Sequence, residues 1–193
     1  LEYWFGQLDD HGLAPADRRR RWFAGNAADR QIAGEFGGLV ERALAGELDR
    51  WEQQPEQLVA LVTLLDQFPR NIYRGSARAY SGDRRACELV NRGVALGVDR
   101  QLPLCWRTMF YMPLEHSESL VAQNLCVLLL EQLQAQAAAP CRDYLRGCVD
   151  WARQHRDIIL RFGRFPHRNQ VLQREPTAAE TAWIDGGGAR FGQ

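Results

Sequence analysis

The sequence predicts an all-α protein of about eight or nine helices joined by short loops. Apolar residues recur every three or four positions along most of the chain, which is the spacing of an amphipathic helix. No segment alternates apolar and polar residues over the length of a strand. Successive helical hairpins of this kind favour a helical solenoid or an irregular bundle.

The length and charge of the chain narrow its class. Its 193 residues suit one domain spanning residues 1–193. The 24 basic and 24 acidic residues cancel, so we expect neither nucleic acid nor a membrane surface as a partner. Every basic residue is Arg, whose planar fork suits a carboxylate or a phosphate. The five cysteines are odd in number and form no Cys-x-x-Cys pair, so we expect reduced thiols and a cytoplasmic protein.

Three segments are predicted before residue 50. An aromatic entry segment, residues 1–8, is expected to dock into the body of the fold. Pro15 opens a short helix, because the missing N–H of proline costs nothing at a helix start. Asn26 can cap the next helix, whose apolar stripe runs from Ile32 to Leu44 and which Gly46 ends.

Two further helices are predicted in the next part of the chain. Pro55 begins the first, in which leucine and valine recur at helical spacing. We expect Phe68-Pro69 to end it, because the residue before a proline avoids the α region. Ser81 or Asp83 then caps the second.

The remaining helices are separated by prolines and capping residues. A segment dense in large side chains is expected to break at Pro113. Ser117 then caps a long helix, and Pro140 marks the turn into the next. Thr177 with Glu180 has the spacing of a capping box and predicts a last short helix.

Polar side chains gather at three of these expected helix ends, and each group follows or contains a proline. An acid–arginine group precedes and follows Phe68-Pro69, a Glu-His pair follows Pro113, and an Arg/His-rich group surrounds a second Phe-Pro. The candidate binding residues in these groups are Asp66, Arg70, Asn71, Glu115, His116, His155, Arg164, His167, Arg168 and Asn169.

Each group also has a purely structural interpretation. Asp66 and Arg70 are spaced i,i+4 and can simply close a helix end. Glu115 near a helix start would be favoured by the backbone dipole alone. His155 shares a helix face with Ile158 and Ile159, which predicts a buried, hydrogen-bonded histidine.

We expect the three groups to converge in space and form one preorganised pocket. Forked arginine donors fixed at helix ends would attract a carboxylate or a phosphate. The alternative is a buried ion-pair network that fixes how the helices pack. His116, His155 and His167 with Glu115 could supply metal ligands, but no H-x-x-x-H or H-E-x-x-H spacing occurs. We therefore assign no metal ligand, no catalytic residue and no cofactor from the sequence.

Three long blocks also resemble a known bacterial family. They read LLDQFPRNIYRG (residues 64–75), FYMPLEHSES (110–119) and HRDIILRFGRFPHRNQVL (155–172), and YWFG (3–6), Trp22-Phe23 and the glycine-rich tail fit the same layout. The chain is similar to the family known as domain of unknown function 924. The resemblance implies a tetratricopeptide-repeat-like α-superhelix, right-handed, in the cytoplasm. It implies no activity.

Three functions remain open at this point. The first is a binding or scaffold domain whose Arg/His/acid pocket takes an anionic small molecule or a peptide carboxylate. The second is a small-molecule hydrolase or isomerase that uses His116, His155 or His167 with Asp66 or Glu115. This enzyme predicts a His and a carboxylate within about 3 Å, oriented by a third group. The third is a self-associating structural protein with an exposed aromatic patch around Trp4 and Trp22.

Overall fold

A computed structural model describes residues 1–22 and 27–191, and over these residues the prediction of an all-helical fold is confirmed. The described residues contain nine α-helices and no strand. The helices are α1 (Glu2–Phe5), α2 (Ala16–Arg21), α3 (Ala27–Leu44), α4 (Pro55–Ile72), α5 (Asp83–Ala95), α6 (Leu104–Glu115), α7 (Leu120–Gln136), α8 (Arg142–Phe162) and α9 (Ala178–Asp185). Phe23 and the expected cap Asn26 lie outside the described residues. The tetratricopeptide likeness, the superhelical hand and the single domain stay predictions.

Helix α4 is the central element of the fold. It packs against α3, α5 and α6, and α6 in turn packs on α7, which packs on α8. Nearly every residue of α4 from Leu58 to Asn71 is buried, on all sides of the helix. A helix buried all round must satisfy or pair its polar side chains inside the protein, and α4 carries four of them near its end.

Two prolines that were predicted to end helices lie inside them. Helix α4 continues through Pro69 to Ile72, and α6 continues through Pro113 to Glu115. A proline cannot bond the carbonyl four residues before it, which for Pro69 is that of Leu65. The backbone of Gly82 packs against this carbonyl, so closely that a Cβ added to Gly82 would lie 2.1 Å from the oxygen. Tertiary packing therefore carries the helix past the proline.

The other helix ends follow the sequence more closely. Thr177 and Glu180 form the predicted capping box at the start of α9. Two expected caps are displaced: Gly82 stands at the N-cap of α5, and Ser119 rather than Ser117 at that of α7. Capping positions depend on the chain direction entering the helix, which a sequence pattern does not specify.

The exposed aromatic patch predicted around Trp4 and Trp22 is wrong. Both indoles are buried, and their rings stack with centroids 6.2 Å apart. The Trp22 Nε1 donates to the Trp4 carbonyl at 2.8 Å, which fastens the entry segment to α2. No helix of the described residues combines the length and the apolar character that crossing a bilayer requires.

Candidate functional site

The end of α4 places the Asp66 carboxylate in the interior, where three side chains contact it. His116 Nδ1 lies 2.8 Å from Oδ1 and 3.0 Å from Oδ2, although the two residues are 50 positions apart. Arg70 Nη1 lies 3.2 Å from Oδ1, and the Gln67 amide donates to Oδ2. The carboxylate is only 1% exposed, so these contacts fix its position.

Asp83, at the start of α5, lies between two arginines. Arg70 donates to its two oxygens at 2.8 and 2.9 Å, and Arg168 Nη1 reaches it at 3.4 Å. Arg168 also donates to the His116 carbonyl at 3.0 Å, and its guanidinium lies 4.5 Å from the ring centroids of both Tyr80 and Phe165. A closed ring of hydrogen bonds and ion pairs therefore connects α4, α5, the end of α6 and the short 3₁₀ turn Pro166–Arg168.

A second histidine–carboxylate pair lies beside the first. His155 Nδ1, on α8, is 3.2 Å from Glu115 Oε1 and 2.9 Å from the Trp151 carbonyl. The rings of His116 and His155 approach to 6.1 Å between centroids. Phe191 stacks on His155 with centroids 3.8 Å apart, so the end of the described chain covers this pair.

The hydrogen bonds of the two histidines define their tautomers. A carbonyl oxygen only accepts, so His155 Nδ1 carries the proton that it donates to Trp151. An ionised carboxylate likewise only accepts, so His116 Nδ1 donates to Asp66. Both rings are thus left with a lone pair on Nε2 when they are neutral.

The charge states follow from burial and from the arginines. Burial alone would raise the pKa of Asp66, but the charge of Arg70 and the hydrogen bond from His116 outweigh it and lower the pKa below its usual range. Burial lowers the pKa of His116, helped by Arg70. Burial lowers the pKa of His155 to about 3 and raises that of Glu115 to about 8. At neutral pH His155 and Glu115 therefore meet as uncharged groups.

Six of the ten predicted site residues come together in this cluster: Asp66, Arg70, Glu115, His116, His155 and Arg168. Glu115 and His116 lie at the C-terminal end of α6, which passes through Pro113, and α7 begins shortly after them at Leu120. We call the six residues together with Asp83 the polar centre.

The other four predicted residues have separate partners. Asn71 donates to Asp29 at 2.8 Å, and Arg164 binds the Glu180 carboxylate at 2.6 and 2.8 Å. Asn169 accepts from Arg174 Nε at 3.0 Å. The ring of His167 lies 5.6 Å from that of Phe191, and its buried Nδ1 has no hydrogen-bond partner among the described residues. The contacts thus bring six of the ten residues together, and a common pocket of all ten stays a prediction.

Three contributors to the polar centre were missed in the sequence. Asp83 was interpreted only as a possible cap, and nothing in its neighbourhood indicated that two arginines would meet there. Tyr80 supplies a ring face to Arg168. Gln123, fully buried on α7, donates to the carbonyls of Glu115 and Ser117 at 2.5 and 2.8 Å and so fixes the end of α6. A glutamine within the apolar stripe of a helix was the feature of the sequence that could have indicated a buried, hydrogen-bonded Gln123.

A metal ion has three adjacent ligands in this cluster. Glu115, His116 and His155 each offer one ligand atom, and these atoms lie within 4.8 Å of one another. All three residues were among the possible metal ligands named from the sequence, but no metal was assigned there because ligands from two helices, α6 and α8, form no recognised spacing.

The fold and the polar centre define an all-helical protein with two histidine–carboxylate pairs buried among its helices. The chain belongs to the bacterial family described as "Bacterial protein of unknown function (DUF924)", which matches residues 1–188. This confirms the resemblance seen in the sequence. A protein of unknown function from Agrobacterium tumefaciens, ATU0120, has a similar structure with a TM-score of 0.77. It is 36% identical, and the match covers 87% of this chain and 90% of that chain. No curated protein matches the chain.

Proposed function

We propose that the protein is a small-molecule enzyme of the hydrolase or isomerase class, with His116 as its reactive group and Asp66 as a positioning residue. The observation that carries the proposal is the 2.8 Å contact between His116 Nδ1 and the buried Asp66 carboxylate. Such a contact directs the lone pair to Nε2, where it can take up a proton or bind a metal ion. Asp66 also holds the ring in one orientation.

Further contacts preorganise this pair. Arg70 and Gln67 hold the Asp66 carboxylate, and Arg168 holds the His116 carbonyl at 3.0 Å. A catalytic group gains most when its supports are fixed before substrate arrives. The His116 side chain is 12% exposed, compared with 1% for Asp66, so the histidine is the member of the pair that solvent reaches. This asymmetry supports a substrate that meets His116 and not Asp66.

The polar centre also favours a small substrate over a polymeric one. Its side chains are largely buried, and Phe191 covers the neighbouring His155. A protein partner would contact exposed side chains, and few groups of the polar centre are exposed. The scaffold interpretation therefore has less support than the enzyme.

A second candidate function is the binding of an anionic small molecule or a peptide carboxylate. Arg70 and Arg168 both contact Asp83, whose carboxylate stands where a bound anion would. One observation nevertheless favours this function: Arg168 Nε and His167 Nδ1 are buried and have no hydrogen-bond partner among the described residues. An acceptor on a ligand would satisfy such groups.

We further propose that the protein works as one domain in the cytoplasm. The five cysteines are free, which supports a reducing compartment. Burial raises the pKa of Cys148 to about 12, so this thiol stays protonated at neutral pH and is a poor nucleophile. We therefore place no covalent chemistry on Cys148.

The enzyme is tested by turnover in matched variants. The purified protein is incubated with chromogenic esters, phosphates and lactones and with a bacterial metabolite extract, followed by mass spectrometry. We expect a compound to be consumed by the wild type, and its turnover to fall about 100- to 10,000-fold in His116→Gln and Asp66→Asn. His11→Gln changes an exposed histidine in the turn between α1 and α2, outside the polar centre, and should retain full turnover. Turnover that survives in His116→Gln contradicts the proposal.

The binding candidate has its own experiment. Carboxylates and phosphates are screened for an increase in the melting temperature of the wild type. A compound that stabilises the wild type but not Arg168→Ala supports the anion site, because binding to the folded state raises its stability. Equal stabilisation of both proteins would place the anion elsewhere.

A further inference from the structure

The most specific arrangement in the polar centre is the group of two imidazoles and one carboxylate. Glu115, His116 and His155 bring one ligand atom each to within 4.8 Å of the others. Two histidines and a glutamate are the ligand set of one class of catalytic zinc sites. Glu115 and His116 lie at the end of α6 and its cap, and His155 lies within α8.

We propose that Glu115, His116 and His155 bind a divalent transition-metal ion of the zinc class. The inference rests on the proposed function, because it names the cofactor of the same centre. The ion would take the lone pair on Nε2 that the hydrogen bonds leave on each imidazole. Three protein ligands leave a further coordination position, where a bound water would be activated for hydrolysis.

The hydrogen bonds behind the two histidines are those of metal ligands. A metal-binding histidine almost always donates its other ring N–H to a carboxylate or a backbone carbonyl. His116 donates to the Asp66 carboxylate at 2.8 Å, and His155 donates to the Trp151 carbonyl at 2.9 Å. Both ligands thus have the supporting partner before any ion is considered. A buried network that only fixes helix packing does not require this match.

The surrounding charges are compatible with a cation. The positive charges of Arg70 and Arg168 face the negative charges of Asp66 and Asp83. A divalent ion would therefore meet no uncompensated positive charge, and Glu115 would supply a ligand that carries negative charge when ionised. Zinc–nitrogen bonds of about 2.0–2.1 Å require ligand atoms about 3.4 Å apart, so the three side chains would draw together on binding.

Metal binding can be measured without turnover. The full chain is treated with a chelator, and ZnCl₂ is titrated by calorimetry while CoCl₂ is followed by visible absorption. We expect one ion per chain, and affinity reduced at least about 10- to 100-fold in Glu115→Gln, His155→Gln and Asp66→Asn. His11→Gln is the matched histidine control and should bind as the wild type does. His167→Gln, which is close to the centre but outside the group, should also retain binding.

The outcomes separate this inference from the proposed function. If ZnCl₂ does not bind, or binds equally to His155→Gln, the metal site is wrong, whereas turnover that depends on His116 would still support the enzyme. One ion bound through these residues without any turnover would support the metal site and contradict the enzyme. If a variant fails to fold, X-ray absorption of the cobalt-loaded wild type decides, because two imidazole ligands are expected and cysteine sulfur would exclude the site.

Discussion

Arg70 places one guanidinium nitrogen on each oxygen of Asp83, at 2.8 and 2.9 Å. The two residues lie on different helices, α4 and α5, and the contact is a planar two-point fit. It shows why arginines near a helix end are an uncertain sign of an anion site. The protein supplies its own carboxylate, that of Asp83, at the position where the guanidinium would otherwise bind an anion.

Because of the Arg70–Asp83 contact, replacing Asp83 tests both the stability of the fold and the binding of anions. Asp83→Ala leaves two buried arginines without this partner, and we expect unfolding to require about 3 kcal/mol less free energy. Sulfate or phosphate should raise the melting temperature of the variant more than that of the wild type, by replacing the carboxylate. Asp143→Ala, which removes an exposed ion pair, is the control and should change stability by less than about 1 kcal/mol. If sulfate raised the melting temperature of the variant and of the wild type equally, the anion would not be replacing the Asp83 carboxylate.

Gly82 and Gly147 form a matched pair for testing the close packing on α4. A Cβ on Gly82 would lie 2.1 Å from the Leu65 carbonyl oxygen, whereas one on Gly147 meets nothing within 4 Å. Gly82→Ala should therefore destabilise the protein by about 3 kcal/mol or more. Gly147→Ala, within α8, should stabilise it by about 0.5–1 kcal/mol. Denaturant unfolding measures both, and a tolerated Gly82→Ala would mean that α5 can move away from Pro69.

Glu180 gives a pH dependence with a defined sign. Hydrogen bonds from Arg164 lower its pKa from 4.5 to about 2 in the folded protein. The group therefore stabilises the fold above about pH 4.5, and this contribution is lost as the pH falls toward 2. We expect Glu180→Gln to be less stable than the wild type at pH 7, and the difference to shrink between pH 4.5 and 2. A constant difference across this range, measured by urea unfolding, would contradict the assignment.

Gln123 is expected to stabilise the polar centre by fixing the end of α6. It donates to the carbonyl of Glu115, the last residue of α6, and to that of Ser117, just beyond the helix. Gln123→Leu removes both donors and should cost about 1–3 kcal/mol for each carbonyl left unpaired. Gln132→Leu, on an exposed position of the same helix, is the control. If the two variants were equally stable, the carbonyls would have to find other donors.

The sequence predicted the helices better than their ends. Helical periodicity identified α4 and α8 because their apolar stripes are long. Pro69 and Pro113 were misjudged because a local rule was applied where tertiary packing decides. The convergence of Asp66, His116 and Arg168 was anticipated, yet Asp83 was not, since a partner for buried arginines can come from any part of the chain. The tautomers of His116 and His155 follow only from coordinates, because each depends on a single acceptor.

The polar centre draws its members from α4, α5, the end of α6, α8 and the turn after α8. The first half of the chain holds Asp66, Arg70 and Asp83, and the second half holds the other four members, so neither half alone completes the centre. The polar centre is consequently complete only when the last of these segments has packed against the others. Its formation therefore requires that all of these segments have folded. A damaged or prematurely ended copy would therefore lack the complete polar centre.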